Sequence, residues 1–571
     1  MSRLFTDHIV RRVASLNGLW NFRIDPTAEG EANGWFLGIP DARTIAVPSV
    51  WNEEKGLLDY EGVAWYSKSF YTRGGCLRLS FGAVMTFAKV WLDGEYLGSH
   101  YGAFSAFDFI VPEVSEGEHT VTVMADNRFD SHSIPQSTVD WYHYGGIIRN
   151  VEVETLDGIC VIRNRLEYTL SEDNSSAECR LVLSLYNASK SVSDTKLTVS
   201  IDDKTVFDGK ESVPSNEYKE VVLPAFTLTD IRLWDIGKPE LYKVKMLTES
   251  DDLIDRVGFR RIEAKNKEIL LNGRSIEIRG VNRHEEYPGF GFAFPVSRMR
   301  ADIDTILDVG CNAIRGSHYP NSQEFVDYLD EIGVLFWSEI PVWGVGFAQE
   351  TLGDPIVIER GLAMHAEMVR DYYNHPAIII WGMHNEILSD TQEGLEMTKK
   401  FYSFLKANGG NRLVVYASHR TTKDISLAYT DVICLNVYHG WYYGGLSAWA
   451  PFLDEFCAYA DSLGLSDVPI VFSEFGAAGI YGFHDTERTK WSEEFQAELL
   501  EHCLLLFHKH PSVRGTFVWQ FCDIRTSPDM GFSRARGFNN KGILNEYRRP
   551  KAAYYAVKKC YTEFKKETKV D

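Results

Sequence analysis

A chain of 571 residues is too long for one hydrophobic core and predicts about three domains of ~100 to 200 residues each. Its net charge of −21 argues against nucleic acid or an anionic membrane as the main partner, and any anionic small substrate would need a local cationic pocket. The aromatic share of 13%, with 14 Trp and 28 Tyr, is enough for stacking surfaces as well as cores, and carbohydrate handling is one use for such a surplus.

The start, "MSRLFTDHIVRRV", has no apolar core of signal-peptide length. No later run approaches the ~20 apolar residues that span a bilayer, so a cytoplasmic protein without a membrane partner is expected. The nine cysteines are scattered, odd in number and free of CxxC pairs, which fits reduced thiols and no zinc site.

Up to about residue 260 the chain reads as short alternating or β-branched runs punctuated by Gly, Asp, Asn and Ser, such as "HTVTVMADN", "RLVLSLYN" and "KLTVSID". This is β-sandwich material. It divides near residue 155, because the strand series that follows fills the roughly 100 residues of an immunoglobulin-like module. Domains are therefore expected over 1–155, 156–260 and 261–571.

From residue 261 strand-like runs alternate with amphipathic stretches such as "PVSRMRADIDTILDVG" and "NSQEFVDYLDEIG". The apolar strand candidates are "SIEIRGVNRH", "NAIRGSHY", "GVLFWSEIP", "AIIIWGMHNE", "LVVYASHR", "DVICLNVYHG", "PIVFSEFG" and "RGTFVWQFCD". Eight strands, each separated by enough chain for a helix, predict a (β/α)8 TIM barrel. An open doubly wound sheet is the alternative, but no Gly-rich phosphate loop follows the first strand. Polar residues crowd the ends of these runs, among them Asn282, His284, His318, Glu339, Asn385, Glu386, Asn436, Tyr438, Glu474 and Asp523. In a barrel those ends share the face that carries active sites.

Glu386 ends the fourth run and Glu474 the seventh, so the two can face each other across the mouth. Two carboxylates about 5 to 5.5 Å apart are the geometry of retaining glycoside hydrolysis, one a general acid of raised pKa and the other an ionised nucleophile. A lone glutamate at a strand end is more often a structural ion pair; the pair on strands four and seven is not read that way. Glu339 is expected to position rather than react. His284, His318, His384 and His439 lack HExxH or any other tight ligand spacing, so no metal and no cofactor are expected.

"LNGLWNFRID", "FGAVMTFAKVWLDGEYLGSHYGAFSAFDFIV", "LLNGRSIEIRGVNRHEE", "IRGSHYP", "WGMHNE" and "FSEFG" together resemble glycoside hydrolase family 2. That resemblance implies a jelly-roll sugar-binding-like domain, an immunoglobulin-like sandwich and a catalytic TIM barrel. It also implies double displacement, with Glu386, preceded by Asn385, as acid/base and Glu474 as nucleophile. "NVYHGWY", carrying Asn436, Tyr438 and Tyr442, is similar to the N-x-Y-x-G-W-Y of β-glucuronidases, and "FNNKG" offers Asn539 and Lys541 in the N-x-K pattern that holds a sugar carboxylate. Physically, a lysine at the pocket of so acidic a chain supplies a local charge for a uronate. "NNKG" alone would be read as a surface turn.

By the same likeness Asp140 reaches the sugar hydroxyls, notably O4, although a solvated loop acid is an equal reading of the residue itself. Trp519, His284 and His318 would line the pocket. The longer stretch "SPDMGFSRARGF" leaves two arginines for a substrate contact, Arg534 and Arg536, of which Arg536 is preferred. The absence of a long insertion between "SEIPVWGVG" and "NHPAIII" implies an open mouth suited to oligosaccharides or bulky aglycones. The expected function is a retaining exo-β-glucuronidase acting on small-molecule or oligosaccharide β-uronides. A β-galacturonidase or dual hexuronidase, then a β-galactosidase, are the alternatives, and a noncatalytic carbohydrate-binding protein is the alternative outside enzymes. Symmetric self-assembly into a homo-oligomer is common for such enzymes.

Overall fold

The computed structural model describes residues 3, 5, 8–344 and 347–567. Residues 12–156 contribute a four-stranded and a six-stranded antiparallel sheet, which close over a core including Trp20, Phe22, Tyr66, Leu79, Phe81 and Val123. The period of two is plain in the strand Gly117–Asp126, whose Val121, Val123 and Ala125 are fully buried in that core. Between residues 159 and 257 two four-stranded sheets repeat the arrangement around Leu181, Leu183, Leu185, Leu197, Val199 and Val244. Both sandwiches precede the barrel in the chain.

The eight apolar runs close into a parallel barrel of strands Ile278–Arg283, Ala313–Gly316, Leu335–Glu339, Ile378–Asn385, Leu413–Ser418, Ile433–Asn436, Ile470–Phe475 and Val513–Val518, the last pairing the first. Every residue of these strands except Arg514 is buried. This explains why they read as continuous apolar runs, for barrel strands are covered on both faces. The outer cover is helical. Glu493–Lys509, for example, starts at Ser492, whose side chain accepts from Phe495 N, and it buries Leu500, Leu504 and Phe507. Phe507 stacks on Phe472 of strand seven with ring centroids 3.8 Å apart. Truncating such a ring typically costs ~3 to 5 kcal/mol, so this contact holds the strand that carries Glu474.

Irregularities in the ladder occur where the chemistry is expected. Pairing register shifts between Gly382 and Asn385, between Leu435 and Asn436, and between Phe472 and Phe475. Such bulges re-aim side chains at the ends of strands. Glu386 leaves strand four in the left-handed region at φ 53°, with its N–H held by Ala417 O at 2.9 Å. The neighbouring chain comes so close that a Cβ at Gly344 would lie 2.0 Å from the Glu386 carbonyl oxygen. Among the described residues no helix is long and apolar enough to cross a membrane.

The sandwiches are fastened to the barrel by buried polar contacts. From the first, Arg149 reaches Glu285 at 3.0 Å and Tyr144 donates to Glu286 at 3.2 Å. Below the barrel, Arg260 donates to three main-chain oxygens, of Pro376, Asn411 and Ile378, at 3.0, 2.6 and 2.6 Å. The loop over 127–145 thereby lies at the barrel mouth, which sets the position of Asp140.

Candidate active site

Glu474, at the end of strand seven, is buried and held at both oxygens. Arg315 Nη1 is 2.9 Å from Oε1, and the Tyr438 hydroxyl donates to Oε2 at 2.7 Å. Arg315 is itself fully buried and also donates to both oxygens of Glu339, at 3.0 and 2.9 Å, and to Asn385 Oδ1 at 2.7 Å. Two carboxylates around one guanidinium satisfy the rule that buried charges are retained only when paired. Glu339 is thus a counter-ion to Arg315. It also meets His318 Nδ1 at 2.7 Å.

Sequence reasoning did not single out Arg315. Its signal was present: a cation inside the otherwise apolar run "NAIRG" demands buried acids as partners.

Glu386, by contrast, is only partly buried. Its Oε1 accepts from Asn436 Nδ2 at 2.9 Å, and the same amide donates to Asn385 Oδ1 at 3.0 Å. Asn436 is oriented in turn by Ser473, whose hydroxyl donates to its Oδ1 at 2.7 Å. Burial and then the charge of Glu386 push Glu474 up to about 8, against the pull of Arg315 and Tyr438 in the other direction. The sequence-based expectation assigned the raised value to the acid. The raised group is instead the other member, Glu474, which is the more deeply buried of the two.

Four rings form the floor. Trp519 stacks on His318 at 5.2 Å and meets His284 edge-on at 5.6 Å. Trp141, next to Asp140 and not anticipated, packs against both histidines at 5.6 Å. Burial, and next the neighbouring cationic groups, hold His284 and His318 well below the ordinary histidine value, so both are neutral at neutral pH. His284 Nε2 and Asn385 Nδ2 are buried without a partner among the described residues. Such groups are ready donors or acceptors for sugar hydroxyls.

A second cluster lies beside the first. Asp140 accepts from Thr526 at 3.1 Å, from Arg534 Nε at 2.9 Å and from Asn539 Nδ2 at 2.8 Å, with Arg534 Nη2 also on Oδ2. Lys541 is 1% exposed, and its Nζ donates to the Tyr442 hydroxyl at 2.8 Å. That ammonium also lies 5.0 Å from the Tyr442 ring and 5.8 Å from the Tyr438 ring, and Tyr438 holds Glu474. Burial raises the Tyr442 hydroxyl, but the charges of Lys541 and Arg534 outweigh it and leave a value below that of an ordinary tyrosine. Two cations face one carboxylate, so the cluster carries one unbalanced positive charge in a chain of −21.

Arg536 requires a correction. It is in the left-handed region at φ 61° and turns outward to Glu546 at 3.1 Å, with its side chain half exposed. Arg534, two residues earlier, is the one that enters the cluster. The sequence could not separate them, because the choice depends on one turn between two arginines of equal chemistry. The four histidines weighed as metal ligands also divide: His384 bonds Thr398 away from the site, and His439 packs on Trp449. Of the segment on which an open mouth was argued, residues 345 and 346 lie outside the described residues.

Residues 262–566 match the family model "Glycosyl hydrolases family 2, TIM barrel domain", and residues 162–260 match "Glycosyl hydrolases family 2". The chain belongs to glycosyl hydrolase family 2. It is a β-glucuronidase-like member and a glycoside hydrolase. The crystal structure of a family 2 β-galacturonidase from Eisenbergiella tayi bound to galacturonate superimposes with a TM-score of 0.91 at 34% identity, covering 99% of each chain. β-Glucuronidase from Ruminococcus gnavus in complex with D-glucuronic acid gives 0.86 at 26% identity, covering 98% of this chain and 99% of that one. The β-glucuronidase of Streptococcus agalactiae is 27% identical over 600 aligned positions, 96% of each chain.

Proposed function

We propose that this family 2 enzyme is a retaining exo-β-hexuronidase. The observation that carries the reading is the buried Lys541, whose ammonium is paired with a phenol and with no carboxylate among the described residues. A sugar carboxylate completes that arrangement with a charge-assisted hydrogen bond; a neutral hexose does not. Asn539 and the Arg534–Asp140 pair stand on the same side and would meet the C6 and O4 positions.

In the first step Glu474 attacks the anomeric carbon while Glu386 protonates the leaving oxygen, and a covalent glycosyl-enzyme forms. Of the two carboxylates Glu474 is the one with a guanidinium and a phenol donating to it, and these donors favour its ionised, nucleophilic form against the burial that raises it. Glu386 has a single amide donor, Asn436, and faces the side open to water. In the second step Glu386 takes a proton from water, which releases the sugar with retained configuration. Esterification removes the charge of Glu474, and Arg315 keeps its pairing to Glu339.

The motifs "NVYHGWY" and "FNNKG" favour a β-glucuronide, whereas the likeness at 34% identity to a β-galacturonidase favours the C4 epimer. The test compares kcat/KM on the p-nitrophenyl β-glucuronide, β-galacturonide, β-glucoside and β-galactoside. Activity concentrated in the uronides supports the reading, and their ratio assigns C4. Turnover of a neutral glycoside alone would return Lys541 to a structural role.

A further inference from the structure

The uronide reading requires two contacts at once, C1 over Glu474 and the C6 carboxylate at Lys541. Glu474 is at the end of strand seven, whereas the chain that presents Lys541, residues 539–542, is not part of the barrel. It is nonetheless tied to the chain that follows Glu474. Lys551, just ahead of the C-terminal helix Ala552–Glu567 and completely buried, donates to Asp523 Oδ1 at 2.7 Å, to Gly479 O at 2.6 Å and to Asn540 O at 3.1 Å. All three ammonium hydrogens are used.

Asp523 closes the knot. Its Oδ1 also accepts from Gly542 N at 3.0 Å and its Oδ2 from Asn540 Nδ2 at 3.1 Å. Gly479 N donates to Asn540 O at 3.0 Å, while Gln520 N and Gln496 Nε2 donate to Lys541 O at 3.0 and 3.2 Å. The approach leaves no room for a side chain at Gly542, where a Cβ would lie 2.2 Å from Asp523 N. One ion pair therefore joins the segment after Glu474, the end of strand eight and the segment that carries Asn539 and Lys541.

Burial pushes Asp523 up to about 6 even with Lys551 beside it. A fully buried pair of this kind is commonly no more stabilising than well-packed apolar residues. Its geometry suggests what it contributes instead. A charge-assisted hydrogen bond is worth most within a few tenths of an ångström of its best length, so Lys541 selects a carboxylate only if its main chain is fixed relative to Glu474.

We propose that Asp523 and Lys551 are positioning residues for uronate selection, setting the separation between Lys541 and the segment that follows the proposed nucleophile. The inference rests on the uronide reading of Lys541. Neither residue touches the sugar in this account.

The experiment uses the full chain and measures kcat, KM and Tm for the wild type, Lys551→Met, Asp523→Asn and, as a reference, Lys541→Met. The substrates are the better p-nitrophenyl β-uronide and the neutral hexoside of the same C4 configuration. Lys551→Met is expected to lower the uronide-to-hexoside ratio of kcat/KM about tenfold or more, chiefly through the uronide KM, as loss of a charge-assisted contact would. Asp523→Asn keeps the shape of the side chain and removes only its charge, so it tests the same point if Lys551→Met does not fold.

Equal proportional losses on both substrates, in whichever of the two variants folds, would make the pair merely structural and overturn the proposal. If Lys541→Met collapses the ratio and the pair variants leave it intact, the positioning role fails and the uronide reading survives. If the wild type has no uronide preference, the reading of Lys541 fails first and takes this inference with it.

Discussion

Replacing Lys541 by Met removes a charge while keeping the length of the side chain. Among the described residues its ammonium is the one cationic group of the cluster without a carboxylate, since Arg534 is engaged by Asp140 and Arg536 is turned out to Glu546. A charge-assisted hydrogen bond contributes ~1.5 to 3 kcal/mol, which is roughly a 10- to 150-fold loss of kcat/KM on a uronide at about 1.4 kcal/mol per tenfold. Coulomb's law at 4 Å and an effective dielectric constant of 20 bounds the effect at ~4 kcal/mol.

On the neutral hexoside only packing against Tyr438, Trp441 and Tyr442 changes. A volume-conserving swap usually costs below ~1.5 kcal/mol, so the two losses separate. The assay is steady-state hydrolysis of both p-nitrophenyl glycosides with Tm measured alongside. Removing a buried cation surrounded by rings should leave Tm unchanged or raise it, because the ammonium is desolvated without a carboxylate. A proportional loss on both substrates would refute the reasoning, as would a full loss accompanied by a large fall in Tm.

Three further outcomes follow from the same geometry. Glu386→Gln should spare substrates with good leaving groups more than poor ones; removing its charge also removes one cause of the raised Glu474 value, so the acid limb on an activated aryl uronide should move to lower pH. An acid limb that stays in place or moves up would count against the coupling. Arg534→Ala should weaken uronide turnover by at least tenfold by leaving Asp140 without its main partner inside the cluster, whereas Arg536→Ala should leave uronide kcat/KM within about threefold of wild type, since its half-exposed guanidinium pairs with Glu546 and with no residue of the cluster. Reversed sizes of these two effects would undo the correction. Glu286 is raised by burial from 4.5 to about 7, so holding it ionised costs stability above pH 7 and nothing below pH 4.5. Glu286→Gln should therefore gain on the order of 3 kcal/mol relative to wild type between pH 5 and pH 8, at about 1.4 kcal/mol per pH unit, and denaturant midpoints that differ equally at both pH values would contradict it.

How much of this was legible depends on the range of the interaction that fixes each feature. The strands of the barrel are fixed locally, by being covered on both faces, and runs such as "AIIIWGMHNE" announce them without any knowledge of their neighbours. Glu386 and Glu474 were legible for a related reason: a charge ending an apolar run must be at a mouth or in an ion pair, and here both ends point to one face. Arg315 was missed because its meaning lies in partners 24 and 159 residues away, Glu339 and Glu474. Asp140 had no local signal beyond its neighbours, for what brings it to Arg534 is the docking of a sandwich loop 394 positions earlier in the chain. The choice between Arg534 and Arg536 depended on one left-handed residue in a short turn, which composition does not encode unless the residue is Gly or Asn. The same limit hid Asp523 and Lys551. Asp523 was read only as a strand-end acid and Lys551 was not singled out; only their complete burial together reveals that the segment presenting Lys541 is held from beneath.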